Sequence, residues 1–102
     1  MQQSPSDLVR DFLRGQNLEQ IGKVDEAIAL YEKAVASSFD SAGPYDRLIW
    51  IYQTRNMHQD VIRIAEASLE AVRTYPEKRE WYQRQIEQSR EALGSAPKPR
   101  RR

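Results

Sequence analysis

Cysteine is absent from this chain, which excludes both a disulfide framework and a thiolate zinc site. Histidine occurs once, at His58, so no second imidazole can share a metal. As a catalytic base it would need a nucleophile and an orienting acid converging on it. Its place beside the Asn56-Met57 turn reads instead as the surface start of a helix. The four glycines, at 15, 22, 43 and 94, are too scattered to form a phosphate-cradling loop. Long apolar runs are missing too: residues 48–52 form the longest, far short of the ~20 needed to cross a bilayer. The opening Met-Gln-Gln-Ser-Pro-Ser-Asp lacks the basic and apolar regions of a secretory signal. The expected compartment is the cytoplasm, with no membrane insertion, no cofactor and no enzymatic chemistry.

What is present fits one small folded domain. The chain has 102 residues, 39% hydrophobic and 30% charged, the balance of an ordinary globular fold rather than a disordered one. The few glycines and prolines sit at apparent boundaries, which favours helices over strands and turns. The net charge of +1 is unevenly spread, because Lys98, Arg100, Arg101 and Arg102 supply four of the 16 basic residues. The body before them is slightly acidic. That is not the footprint of a nucleic-acid-binding domain, which places its cations on a structured face.

Hydrophobic spacing predicts five helices. Ser4-Pro5-Ser6-Asp7 can cap and start the first, and Leu8, Phe12, Gly15 and Leu18 form its stripe up to about residue 20. Gly22 fits a left-handed stop. The second helix covers 24–37, with Asp25 and Glu26 at its positive end and Ala27, Ile28, Tyr31, Ala34 and Val35 on its buried face. After a break at 37–41, Ala42-Gly43-Pro44 opens a third, whose stripe is Tyr45, Leu48, Ile49 and Tyr52. Asn56 is the next left-handed cap. A fourth helix covers 58–73, with Val61, Ile62, Ala65, Leu69 and Val72 inward. Pro76 starts a fifth, carrying Tyr82, Ile86, Ser89 and Leu93, and Gly94 ends it. Residues 1–94 then make one helical domain, and 95–102 form a disordered basic tail.

The chain also repeats itself. Gly22 and Asn56, Leu18 and Tyr52, Ala27 and Val61, and Val35 and Leu69 are each 34 positions apart. Turns fall on turns and stripes on stripes, so two helix–turn–helix units follow one another. Tyr45, Ile49 and Tyr52 recur at an offset of 37 as Tyr82, Ile86 and Ser89, which makes the fifth helix the start of an incomplete third unit. On that reading the fourth helix is almost one turn longer than the second. Glu80, Gln83, Arg84, Glu87, Arg90 and Glu91 would give the fifth the polar outer face of a terminal cap.

Gly15-x-x-Leu18, Gly22 and Asp25-Glu26-Ala27-Ile28-x-x-Tyr31-x-x-Ala34-Val35 resemble the tetratricopeptide repeat, a family of 34-residue helix pairs. The second unit departs from the pattern, with Ile49, Val61, Ala65 and Ser68 where the first has Gly15, Ala27, Tyr31 and Ala34. The resemblance implies an all-α, TPR-like α-solenoid of two antiparallel helix pairs plus a capping helix, serving as a protein–protein interaction module or adaptor. It also implies a concave surface made by the first helix of each pair. That surface takes Phe12, Leu13, Gln16 and Glu19, together with Val9 and Gln20, from the first helix. The third supplies Asp46, Arg47, Trp50, Gln53 and Thr54, and the fifth Arg84 and Glu87.

Phe12 and Gln16 stand where a clamp for a terminal carboxylate needs cationic and amide groups, so that use of the fold is not supported. The expected partner is another protein or peptide, with an apolar anchor and some charge complementarity. Trp50 has two open readings: a partly exposed contact residue, or core against the neighbouring helix. Self-association through exposed aromatics around Trp81 and Tyr82 is an alternative function. Nucleic acid is expected at most as a weak, salt-sensitive contact of the tail.

Overall fold

The structure is a computed structural model that describes residues 4–95. The described residues form five helices: α1 (Pro5–Gln20), α2 (Val24–Ala36), α3 (Ala42–Thr54), α4 (His58–Ala71) and α5 (Lys78–Ser95). No strand occurs among the described residues. Each helix packs on the next in sequence, and α2 also touches α4. The result is an all-α stack of helical repeats: α1, α3 and α5 in one layer, α2 and α4 in the other. The expected tail lies outside the described residues, apart from Ser95, which closes α5.

The repeat is written most plainly in the backbone of its turns. Gly22 has φ +84° and Asn56 φ +58°, the left-handed conformation that satisfies the last carbonyls of a helix. The Lys23 amide donates to the Leu18 carbonyl at 2.8 Å, and the Met57 amide to the Tyr52 carbonyl at 2.8 Å. A third such turn ends α2, where Ser38 has φ +53° and the Phe39 amide reaches the Ala34 carbonyl at 3.1 Å. Serine carries no strong left-handed signal, so the sequence showed only a break there. At the other end, the Ser4 hydroxyl accepts the Asp7 amide at 3.2 Å, as the capping pattern predicts.

Close helix contact in the first pair depends on one glycine. A Cβ on Gly15 would lie 2.6 Å from Cε1 of Tyr31, and that ring is fully buried. The second pair solves the same contact with the sizes exchanged. Ile49 stands for Gly15 and Ala65 for Tyr31, both at 0% exposure in one core cluster with Val61 and Leu48. Volume is conserved across the pair while its placement is reversed, a form of repacking that cores tolerate well.

Three expectations need correction. Helix α4 does not run to 73: it stops at Ala71, because the Asp40 carboxylate takes the amides of Arg73 (2.9 Å) and Thr74 (3.4 Å) out of the helical ladder. It has 14 residues against 13 in α2, so the extra length of this unit is mostly not helical. Helix α5 begins at Lys78, with Pro76 in the preceding turn, and continues through Gly94. Leu93, expected inside, is 39% exposed, because α5 at 18 residues outruns the 14 of α4. The predicted polar cap face does form: Glu80, Gln83, Arg84, Glu87, Arg90 and Glu91 are all exposed.

Alanine substitutions at two glycines should separate these effects in urea unfolding. Gly15→Ala should cost about 1–3 kcal/mol, the usual penalty for overpacking against a fixed ring. Gly94→Ala, in a helix with open space around it, should gain about 0.5–1 kcal/mol. Equal effects at the two positions would rule out the packing role assigned to Gly15.

Candidate interaction face

The side formed by α1, α3 and α5 carries the residues for which the tetratricopeptide resemblance implies a concave surface. Side-chain contacts across it run from helix to helix. Phe12 lies tilted on Tyr31, with ring centroids 5.7 Å apart, and its tip faces Gly43, where a Cβ would lie 2.5 Å away. Glu19 receives Arg47 in a two-pronged pair, Nε to Oε1 at 2.9 Å and Nη2 to Oε2 at 2.6 Å. Asp46 accepts the Lys78 ammonium at 2.7 Å and the Tyr82 hydroxyl at 2.9 Å. Gln53 donates its amide to the Gln85 carbonyl oxygen.

Phe12, Glu19, Asp46, Arg47 and Gln53 are thus engaged with their own neighbours rather than held ready for a ligand. Only Arg47 also reaches outward: its guanidinium sits 5.0 Å from the ring centroid of Trp50. Trp50 itself is 55% exposed, which settles its two readings in favour of exposure. Leu13 is 53% and Val9 45% exposed, one turn apart on α1. Gln16 is half-buried and Arg84 exposed, the latter only loosely paired with Glu80 at 3.9 Å. The face is therefore a row of neutralised polar contacts with Val9, Leu13 and Trp50 as its open apolar surface.

One arrangement occurs three times between helices. A buried tyrosine hydroxyl donates to a carboxylate, and that carboxylate also holds a cation from a neighbouring helix. Tyr31 donates to Glu19 at 2.6 Å, which holds Arg47. Tyr52 donates to Glu32, which holds Arg63 at 2.7 and 3.0 Å. Tyr82 donates to Asp46, which holds Lys78. Sequence reasoning missed these partnerships. The signal was available in the tyrosines, since a buried phenol needs a hydrogen-bond partner.

The environment sets the ionisation of these groups. The Arg47 guanidinium, bonded to Glu19, holds that carboxyl below its ordinary value against the opposing effect of burial. For Glu32, burial pushes upward but the bonds from Arg63 and Tyr52 prevail and the value is lowered. Burial raises Tyr31, Tyr52 and Tyr82, with their carboxylate partners adding to the rise. Burial pushes Tyr45 up to about 12, and its hydroxyl has no hydrogen-bond partner.

Other expectations fare differently. His58 starts α4 as expected and is half-buried there, and its Nδ1 has no hydrogen-bond partner. No cluster of three or more possible metal ligands occurs among the described residues. The aromatic pair expected to lie open at the end of the stack does not: Tyr82 is 1% exposed, and Lys78 covers both rings, 4.4 Å from Trp81 and 5.3 Å from Tyr82. No described helix is long and apolar enough to cross a membrane. No family model, characterised protein or solved structure matches the chain.

Stability should fall at both ends of the pH scale. Glu19 and Glu32 have lowered values when folded, so the unfolded chain binds protons first and stability is lost as pH drops below about 4.5. The raised tyrosines act in the opposite sense. The unfolded chain releases their protons near pH 10, so stability declines above that point. Urea midpoints across pH 3–11 check both limbs, and in a Tyr75→Phe background, which removes the exposed phenol, tyrosinate absorbance should rise together with alkaline unfolding. Absorbance that rose well before the loss of helix would contradict the burial of these hydroxyls.

Proposed function

We propose that this chain is a non-enzymatic protein–protein interaction module, akin to a short tetratricopeptide array. On this reading a peptide or helix docks on the face of α1, α3 and α5. The observation that carries the proposal is Trp50, an indole left 55% exposed in the middle helix of that face and braced by Arg47. Exposed tryptophan next to arginine is the composition of binding hot spots. The 34-residue spacing of Gly22 and Asn56, with the same turn at both, supports the family reading.

Because Glu19, Arg47, Asp46 and Lys78 already neutralise one another, the partner needs little charge of its own at the centre. An apolar anchor against Trp50, extended toward Leu13 and Val9, fits best. The polar remainder would lie along α5, where Arg84 is an open cation. Breaking the internal pairs would leave partly buried charges uncompensated, so the partner adds to the face without rearranging it. A stack this short offers a small surface, and a single copy should bind weakly unless a partner engages several copies.

The proposal is tested by selecting peptides on the full-length chain and following Trp50 fluorescence in a Trp81→Phe background. Trp50→Ala should weaken binding by about 2 kcal/mol, roughly 30-fold, the scale of a central hot spot. Selected peptides that bind Trp50→Ala as tightly as the unaltered chain would show that the face is not the site.

A further inference from the structure

Helix α5 is fastened to the stack differently from α3. Its inward side is made by Tyr82, Gln85, Ile86 and Ser89, all buried. These stand 37 positions after Tyr45, Leu48, Ile49 and Tyr52, the buried stripe of α3. Two of the four places have changed character: Gln85 is 7% exposed where α3 has a leucine, and Ser89 is 2% exposed where α3 has a tyrosine. An apolar side chain is drawn into such a place by its removal from water. A glutamine there gains only what its hydrogen bond returns after water is lost, and Gln85 takes that bond from another side-chain amide, Gln53.

Tyr82 and Ile86 remain as the buried apolar contacts of α5, and its further ties are polar. Asp46 holds Lys78 and the Tyr82 hydroxyl, and Arg79 donates to the Leu69 carbonyl at 2.8 Å. Arg90 meets Glu66 at 3.4 Å with both side chains more than half exposed, a pair of little strength. The connection from α4 is open as well. Residues 73–77 are exposed, and the amides of Arg73 and Thr74 rest on the exposed carboxylate of Asp40. Before that connection the balance is reversed, since Val61, Ile64 and Ala65 on α4 are fully buried in the core. A helix set in the core and a helix fastened by polar ties thus meet at a non-helical, solvent-facing hinge. In such an arrangement one element opens without unfolding its neighbours.

We propose that α5 is a hinged strap, which swings off α3 and α4 as a unit about residues 73–77 while α1–α4 stay folded. Opening releases Asp46 from Lys78 and Tyr82, and Gln53 from Gln85. A carboxylate and an amide on the helix that carries Trp50 then exchange an internal partner for solvent, so the closed and open states present different faces. The inference rests on the contacts of α5 itself and holds whether or not the Trp50 face binds a peptide.

Native-state hydrogen exchange of the full chain, read amide by amide in low urea, tests it. The amides of residues 82–92 should share one opening, with protection at least tenfold below that of the α3 and α4 amides. Their urea dependence should be weaker, because opening exposes less surface than unfolding. Gln85→Leu, which restores the α3 pattern, should raise the protection of α5 about tenfold, the scale of one buried leucine. Val35→Ala, in the core on α2, should lower the protection of α3 and α4 about tenfold and leave that of α5 unchanged, since the closed and open states both keep α2 folded. A fall of the same size in α5 would make the chain one cooperative unit and overturn the proposal. Protection that declines residue by residue toward Ser95 would overturn it as well, since fraying needs no hinge.

Discussion

The stack is held by a constraint that recurs at its helix boundaries: a buried tyrosine must place its hydroxyl. Tyr31, Tyr52 and Tyr82 fill the spaces between helices with large apolar rings, and each ends in a polar atom that water cannot reach freely. A carboxylate on another helix accepts it, and a cation from a further contact balances the carboxylate. None of the three members is well placed alone. The phenol would lack an acceptor, and the half-buried acid would lack a counter-charge, a costly state in a poorly solvated setting. Together they fix the angle at which successive helices meet, because a two-pronged arginine pair has little tolerance for rotation.

This constraint decides what the open face can do. Most of the charge on the side of α1, α3 and α5 is consumed within the stack. A partner cannot recruit Glu19 or Asp46 without removing them from tyrosine and cation at once. What is left is apolar and singly placed: Trp50, Leu13 and Val9. Arg47 links the two roles, since Glu19 holds its guanidinium while the same group lies over the indole. The interior network thereby limits the freedom of the most exposed aromatic residue on the face.

Much of the architecture was legible in the sequence because it rests on short-range rules. Glycine and asparagine 34 residues apart announce left-handed turns, and stripes at spacings of three and four announce buried faces. Where those rules are silent, the reading failed. Ser38 adopts a conformation its side chain does not advertise. Arg73 and Thr74 leave the helix because Asp40, more than thirty residues away, accepts their amides. Spacing along one helix does not reveal that Glu19 meets Arg47 or that Asp46 meets Tyr82. Gln85 is buried and Leu93 is not, an inversion set by where α4 ends rather than by hydropathy.

The end of the stack follows from the same geometry. A polar terminal helix closes a single-layered surface, and α5 does so with six exposed polar or charged residues. This stack has two layers, however, and α5 continues only the layer of α1 and α3. Among the described residues no helix continues the layer of α2 and α4. Closing a two-layered repeat needs one element per layer, and a fifth helix can supply only one of them.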